Sequence, residues 1–119
     1  MAATAINLVS TNDVNTASAG FTLTAGTIAD GFKVEMGGKD YKTTFIAHST
    51  GASDVTLTVA VGDSARAAQE PLVITVPSGK YVVFTLDSGY YLQTKGTNKG
   101  YVLIGTSATT CELGVVETR

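Results

Sequence analysis

Two side chains in this sequence are suited by type to nucleophilic or metal chemistry, His48 and Cys111, and each is the single residue of its kind. A Ser-His-Asp or Cys-His arrangement would have to use His48. That residue ends the run Thr43 to His48 beside a Ser-Thr-Gly turn, with nothing around it resembling a nucleophile elbow. With one imidazole and one thiol, the usual nitrogen- and sulfur-ligated zinc sites cannot be assembled within one chain. Cys111 sits in an alternating segment where a small apolar residue belongs, and it reads as core. Asp30, Asp40, Asp54, Asp63 and Asp87 all fall at turns or loop edges, where an Asp side chain bonds nearby backbone amides. No spaced calcium loop is present, and spacing alone sets no carboxylate pair at the separation a glycosidase needs. Neither GxxxxGK[ST] nor GxGxxG stands between a strand and a helix, so nucleotide binding has no support. The inventory predicts a non-enzyme with no catalytic residue, no metal and no cofactor.

What remains is surface for binding. Tyr81, Tyr90, Tyr91 and Tyr101 fall on three consecutive predicted strands, and some of them must face away from the core. An exposed tyrosine group marks a protein interface or a sugar platform, or it closes a sandwich edge with its hydroxyls in water. Charge adds little: 8 Lys and Arg against 10 Asp and Glu give a net −2. Phosphate neutralisation needs clustered cations, so nucleic acid is not an expected partner. No run approaches the ~18 apolar residues of a membrane helix, and the N-terminus has neither a basic head nor an apolar stretch suited to export. A chain made and folded in a cytoplasm is expected.

The elements that must position these residues are strands. At 119 residues with 44% hydrophobic and 15% charged side chains, the chain fits one domain able to bury its own core. Residues 1–19 form no helical period around the apolar knot Ile6, Leu8 and Val9. They read as an extended arm or as a first strand paired with the sheet. Residues 20–119 then follow period two in short runs broken by Gly, Pro, Asn and Asp. The runs are Phe21 to Ala25, Phe32 to Met36, Tyr41 to His48, Val55 to Val61, Leu72 to Val76, Tyr81 to Leu86, Tyr90 to Thr94, Tyr101 to Gly105 and Cys111 to Val116. Gly37-Gly38 supplies a tight turn. Ala65 to Gln69 has room for one helical turn inside a polar loop, and Pro77-Ser78-Gly79 turns the chain straight into the next strand in a type I turn or a close relative. About eight or nine strands without a convincing helix predict an all-β antiparallel sandwich, with Greek-key or jelly-roll wiring left open.

The order of segments also resembles a known family. GFKVEMGGKDYKTTFIAHSTGASDVTLTVAVGD, then PLVITVPSGKYVVFTLDSGYYLQ, then KGYVLIG and a closing CELGVVE are similar to the small capsid decoration, or cement, proteins of tailed bacteriophages. The matched features are a Gly-Gly-Lys-Asp turn, a strand ending in Thr-Gly-Ala, a V-x-L-x-V strand closed by Gly-Asp, a Val-Pro-Ser-Gly-Lys hairpin, and Leu-Asp-Ser-Gly before an aromatic pair. Together they cover about residues 31–117. The resemblance implies a virion protein on the capsid exterior that binds the major capsid protein and bridges coat subunits. It also implies a homo-oligomer, with a trimer preferred. Ile6, Leu8 and Val9 would then act as a strap, and Tyr81, Tyr90, Tyr91 and Tyr101 as capsid or oligomer contacts. The alternative is a carbohydrate-binding or adhesin-type sandwich module.

Overall fold

Alternation translates directly into burial. Along Thr43–Ser49 every second side chain, Thr43, Phe45, Ala47 and Ser49, is buried, and along Val55–Val59 the three apolar residues are buried while Thr56 and Thr58 lie at the surface. β-branched and aromatic side chains suit such a pleated, half-buried surface. The computed structural model describes residues 3–11, 17–18, 20–36, 40–65, 67 and 69–118. The Gly37-Gly38 turn, the start of the Gly-Gly-Lys-Asp feature and part of the 65–69 turn lie outside the described residues.

The strands are β1 (Thr4–Ile6), β2 (Leu8–Ser10), β3 (Thr24–Ala25), β4 (Phe32–Glu35), β5 (Thr43–Ser49), β6 (Val55–Val59), β7 (Leu72–Val76), β8 (Tyr81–Phe84), β9 (Tyr101–Thr106) and β10 (Cys111–Glu117). One sheet runs β1-β4-β9-β6-β7. The other runs β2-β10-β5-β8, with β3 sharing β10's outer edge with β2. For brevity these are sheet A and sheet B. Phe32, Val34, Leu57, Val59, Val102 and Ile104 of sheet A meet Phe45, Ala47, Cys111, Leu113 and Val115 of sheet B in one core. Phe45 stacks on Phe84 with centroids 5.0 Å apart. Each fully buried Val, Leu, Ile or Phe contributes roughly 1.5–3 kcal/mol, so this core is the dominant stabilising term.

Three expectations need correction. The sandwich is not antiparallel throughout: β1 pairs with β4 and β2 with β10 in parallel, in the registers Ile6↔Val34 and Val9↔Val116. One extended segment therefore serves both sheets, three residues on each, changing sheet at Asn7. Polarity alternation reports which face a residue takes but says nothing of strand direction. The count rises to ten among the described residues because the arm supplies two strands. The run Tyr90 to Thr94 is not a strand, since Ser88–Tyr91 forms a short helix, α1, whose N-cap Asp87 accepts a hydrogen bond from Gly89 N–H. Asp-Ser-Gly is a recognisable N-cap signal that the aromatic alternation outweighed.

The Val-Pro-Ser-Gly-Lys turn also does a different job from a hairpin. It carries the chain from β7 in sheet A to β8 in sheet B. Lys80 N–H donates to Pro77 C=O at 3.0 Å, and Gly79 takes φ +71° at the third position, as a type II turn demands. Asp54 accepts from Ser78 N–H at 2.9 Å and Ser78 Oγ donates to Gly51 C=O at 2.8 Å, which ties the crossover to the β5–β6 loop.

Candidate functional site: the outer face of sheet B

The two sheets present unlike surfaces. On sheet A the outward positions are Lys33, Glu35, Thr56, Thr58, Val73, Thr75, Tyr101 and Leu103, of which Val73 is 60% exposed, with Tyr101 lying under the Lys33 ammonium at 4.9 Å. On sheet B the outward positions of β5 and β8 are Thr44, Ile46 and His48, then Tyr81 and Val83, of which the last two are 66% and 64% exposed. Gly114 is outward on β10, and the space a Cβ would occupy there is filled by Leu23, with Phe21 beside it. The segment entering β3 thus lies across the outside of the sheet, and Phe21 stays 43% exposed.

Phe21, Leu23, Ile46, His48, Tyr81 and Glu112 line an open groove of about 500 Å³. A second groove of about 330 Å³ lies between the arm and the same segment, sharing Phe21 and Thr22 and lined also by Val9. The apolar surface therefore runs from Val9 through Phe21 and Ile46 to Tyr81 and Val83. Contiguous apolar surface of this kind marks an interaction site more often than scattered exposed residues do.

The residues singled out in the sequence separate on this map. Val9 and Tyr81 share the outer face of sheet B. Ile6 is buried in the core, and Leu8 lies at the sheet edge, 37% exposed. Tyr101 is half-buried on the outside of sheet A. Tyr90 and Tyr91 belong to α1 and meet edge to face, centroids 6.2 Å apart at 86°. The four tyrosines thus occupy three surfaces and build no common platform. Phe21, Leu23 and Ile46 were missed. The alternation of Phe21 and Leu23 reads as a core strand, and only the Gly114 gap shows that these side chains pack on the outside.

The expected local turn bonding holds for Asp87, whose carboxylate accepts from an amide two residues on, whereas Asp40, Asp54 and Asp63 tie together segments 48, 24 and 31 residues apart. Asp40 Oδ2 accepts from Ser88 N–H and Oγ at 2.8 and 2.9 Å, while its Oδ1 is buried without a partner among the described residues. Asp30 accepts weakly from Thr27 Oγ1 at 3.4 Å. Asp63 Oδ1 accepts from Thr94 Oγ1 and Thr94 N–H, both at 2.6 Å, and its Oδ2 from Lys95 N–H at 3.2 Å. The Thr94 hydroxyl, then the Thr94 and Lys95 amides, hold the Asp63 carboxyl below its ordinary value of 3.8. Burial pushes the Cys111 thiol up, with Glu112 adding to the effect. Among the described residues no three His, Cys, Asp or Glu side chains are placed to hold a metal ion, and no helix is long and apolar enough to cross a membrane. No protein-family model, curated protein or solved structure matches the chain.

Proposed function

We propose that this chain is a non-enzymatic decoration protein of a phage head, attached to the capsid exterior through the outer face of sheet B and bridging coat subunits. The observation that carries the reading is the exposed aromatic surface of that face, where Phe21 and Tyr81 stand beside Val83, against a face opposite where Val73 and a half-buried Tyr101 stand among Thr, Lys and Glu side chains. Protein interfaces favour aromatic anchors, which Phe21 and Tyr81 supply here, with the Glu112 carboxylate lining the groove between them. A standard interface covers ~800 Å² per partner, and repetition over a shell adds avidity, so each contact can be modest.

The strand orders β3-β10-β5-β8 and β4-β9-β6-β7 support a jelly-roll reading, with β1 and β2 added as a parallel seam along one side. That architecture serves capsid and lectin domains alike, so it does not choose between the two functions. The carbohydrate alternative rested on the tyrosines and the low charge; the four tyrosines share no platform, and the pair Tyr90 and Tyr91 on α1 is what remains for it. The major capsid protein is the proposed partner and the virion exterior the proposed location.

The test is co-sedimentation with undecorated heads of the phage whose virions contain this polypeptide. The wild-type chain and a Lys33→Ala control should pellet with the heads, whereas Phe21→Ala with Tyr81→Ala should lose attachment by tenfold or more. Wild-type protein that stays in the supernatant would overturn the reading.

A further inference from the structure

We propose that β8 is a self-pairing edge: two copies of this chain join β8 to β8 antiparallel about a twofold axis at Val83, making one continuous sheet across the pair.

The two sides of the sandwich are finished differently. On one side the edges of β4 and β10 are taken by the arm, with β3 completing the cover of β10. On the other side β8 pairs only with β5 among the described residues, so its second edge is free. Proteins usually protect such an edge with charge, proline or a bulge. Residues 81–86 read Tyr-Val-Val-Phe-Thr-Leu, with no charged residue and no proline.

The direction of the free backbone groups follows from the ladder. Thr50 N–H donates to Thr110 C=O and Ser49 N–H donates to Lys80 C=O, so even-numbered residues of β5 bond β10 and odd-numbered ones bond β8. Phe45 and Ala47 are then the bonded partners of Phe84 and Val82. Tyr81 and Val83, opposite His48 and Ile46, aim their N–H and C=O groups off the free edge. Thr85 is next in the same alternation.

Those three residues are self-complementary. With the twofold at Val83, Val83 faces Val83 of the second copy and Tyr81 faces its Thr85, each pair exchanging both backbone hydrogen bonds. Aromatic and β-branched side chains then stack in cross-strand pairs on the outer face. Charge selects the same arrangement. Lys80 flanks one end of the strand and Asp87 the other, both exposed. Antiparallel pairing brings Lys80 of each copy to the Leu86-Asp87 end of its neighbour, whereas parallel pairing would set like charges side by side. The twofold also merges the apolar outer faces of the two B sheets into one surface. It replaces the three-fold arrangement that the family resemblance implies, and it does not depend on capsid attachment.

The test is sedimentation velocity of the full chain together with cysteine cross-linking. The wild-type protein should sediment as a dimer, and Val83→Lys, at an exposed position, should sediment as a folded monomer with its unfolding midpoint retained. Val83→Cys should form a disulfide-linked dimer on mild oxidation, because bonded antiparallel partners have Cα atoms about 5.5 Å apart, within disulfide reach. Tyr81→Cys alone should not, since the twofold sets its two copies about 14 Å apart along the strands. Mixing Tyr81→Cys with Thr85→Cys should restore the link. The buried Cys111 contributes to none of these. A wild-type monomer up to about 1 mM, a trimer, or Tyr81→Cys linking as readily as Val83→Cys would overturn the proposal. A monomer that still binds heads would sink edge pairing and spare the capsid reading, and a dimer indifferent to heads would do the reverse.

Discussion

The imidazole of His48 lies flat on the phenol ring of Tyr81, with centroids 4.0 Å apart and planes inclined by 6°. The two residues form a pair without direct backbone hydrogen bonds across β5 and β8, the kind in which side chains approach most closely. The single histidine of the chain is thus a support for an exposed tyrosine. One face of Tyr81 rests on the imidazole while the residue keeps two thirds of its surface open. This is the preparation an interface anchor needs, because a ring already held in place loses little freedom on binding.

A double-mutant cycle of His48→Ala and Tyr81→Ala should give a coupling of about 0.5–1.5 kcal/mol in urea unfolding, the range for paired aromatic rings. Zero coupling would mean that the rings do not stack in solution. His48→Ala should also weaken head attachment, though by less than Tyr81→Ala, since it frees the anchor without removing it.

The arm is a structural seam before it is a strap. Ile6 is 6% exposed and pairs with Val34, so Ile6→Ala should cost about 2–5 kcal/mol. Leu8→Ala, at a wetter position, should cost well under half of that. Deleting residues 1–10 should lower the unfolding midpoint by uncovering the edges of β4 and β10. A truncated chain as stable as the full one would show that the parallel pairs contribute nothing.

Two glycines with similar backbones separate conformational strain from steric clash. Gly31 has φ +66° and a Cβ there would run into the carbonyl oxygen of Ile104, whereas Gly79 has φ +71° and open space around it. Gly79→Ala should cost about 1–2 kcal/mol, the left-handed penalty alone. Gly31→Ala should cost distinctly more, because a β9 carbonyl must also move. Equal losses in chemical denaturation would contradict this geometry.

Acid should loosen the junction between the Val61–Ser64 loop and the segment after α1. The folded Asp63 carboxyl titrates below 3.8, so its contribution is fully present above that value and is lost as pH falls through the lower folded one. Asp63→Asn should flatten the stability profile below about pH 4 and leave it parallel to wild type at neutral pH. Amide exchange at Thr94 and Lys95 should speed up over the same acid range. Unchanged exchange at those two amides would refute the role assigned to the carboxylate.

Period-two alternation is a local property, and it was enough to identify the core. Val55, Leu57 and Val59, like Phe32 and Val34, are buried where their spacing places them, and Asp87 caps α1 as its setting suggests, whereas Asp54 and Asp63 bond amides 24 and 31 residues away that no local signal names. Alternation assigns a face without naming the neighbour that covers it. The run Phe21 to Ala25 therefore gives no sign that Phe21 and Leu23 pack on the outside of a sheet, because the gap they fill belongs to Gly114, more than 90 residues along the chain. Strand direction is equally silent in polarity, so the parallel seam formed by Thr4–Ser10 emerged only with the sheets assembled. The same holds for the outer face of sheet B. Tyr81 looked like one of four equivalent tyrosines until folding set it beside His48 and apart from Tyr90, Tyr91 and Tyr101, since packing between distant segments, and not residue type, determines which aromatic rings share a surface.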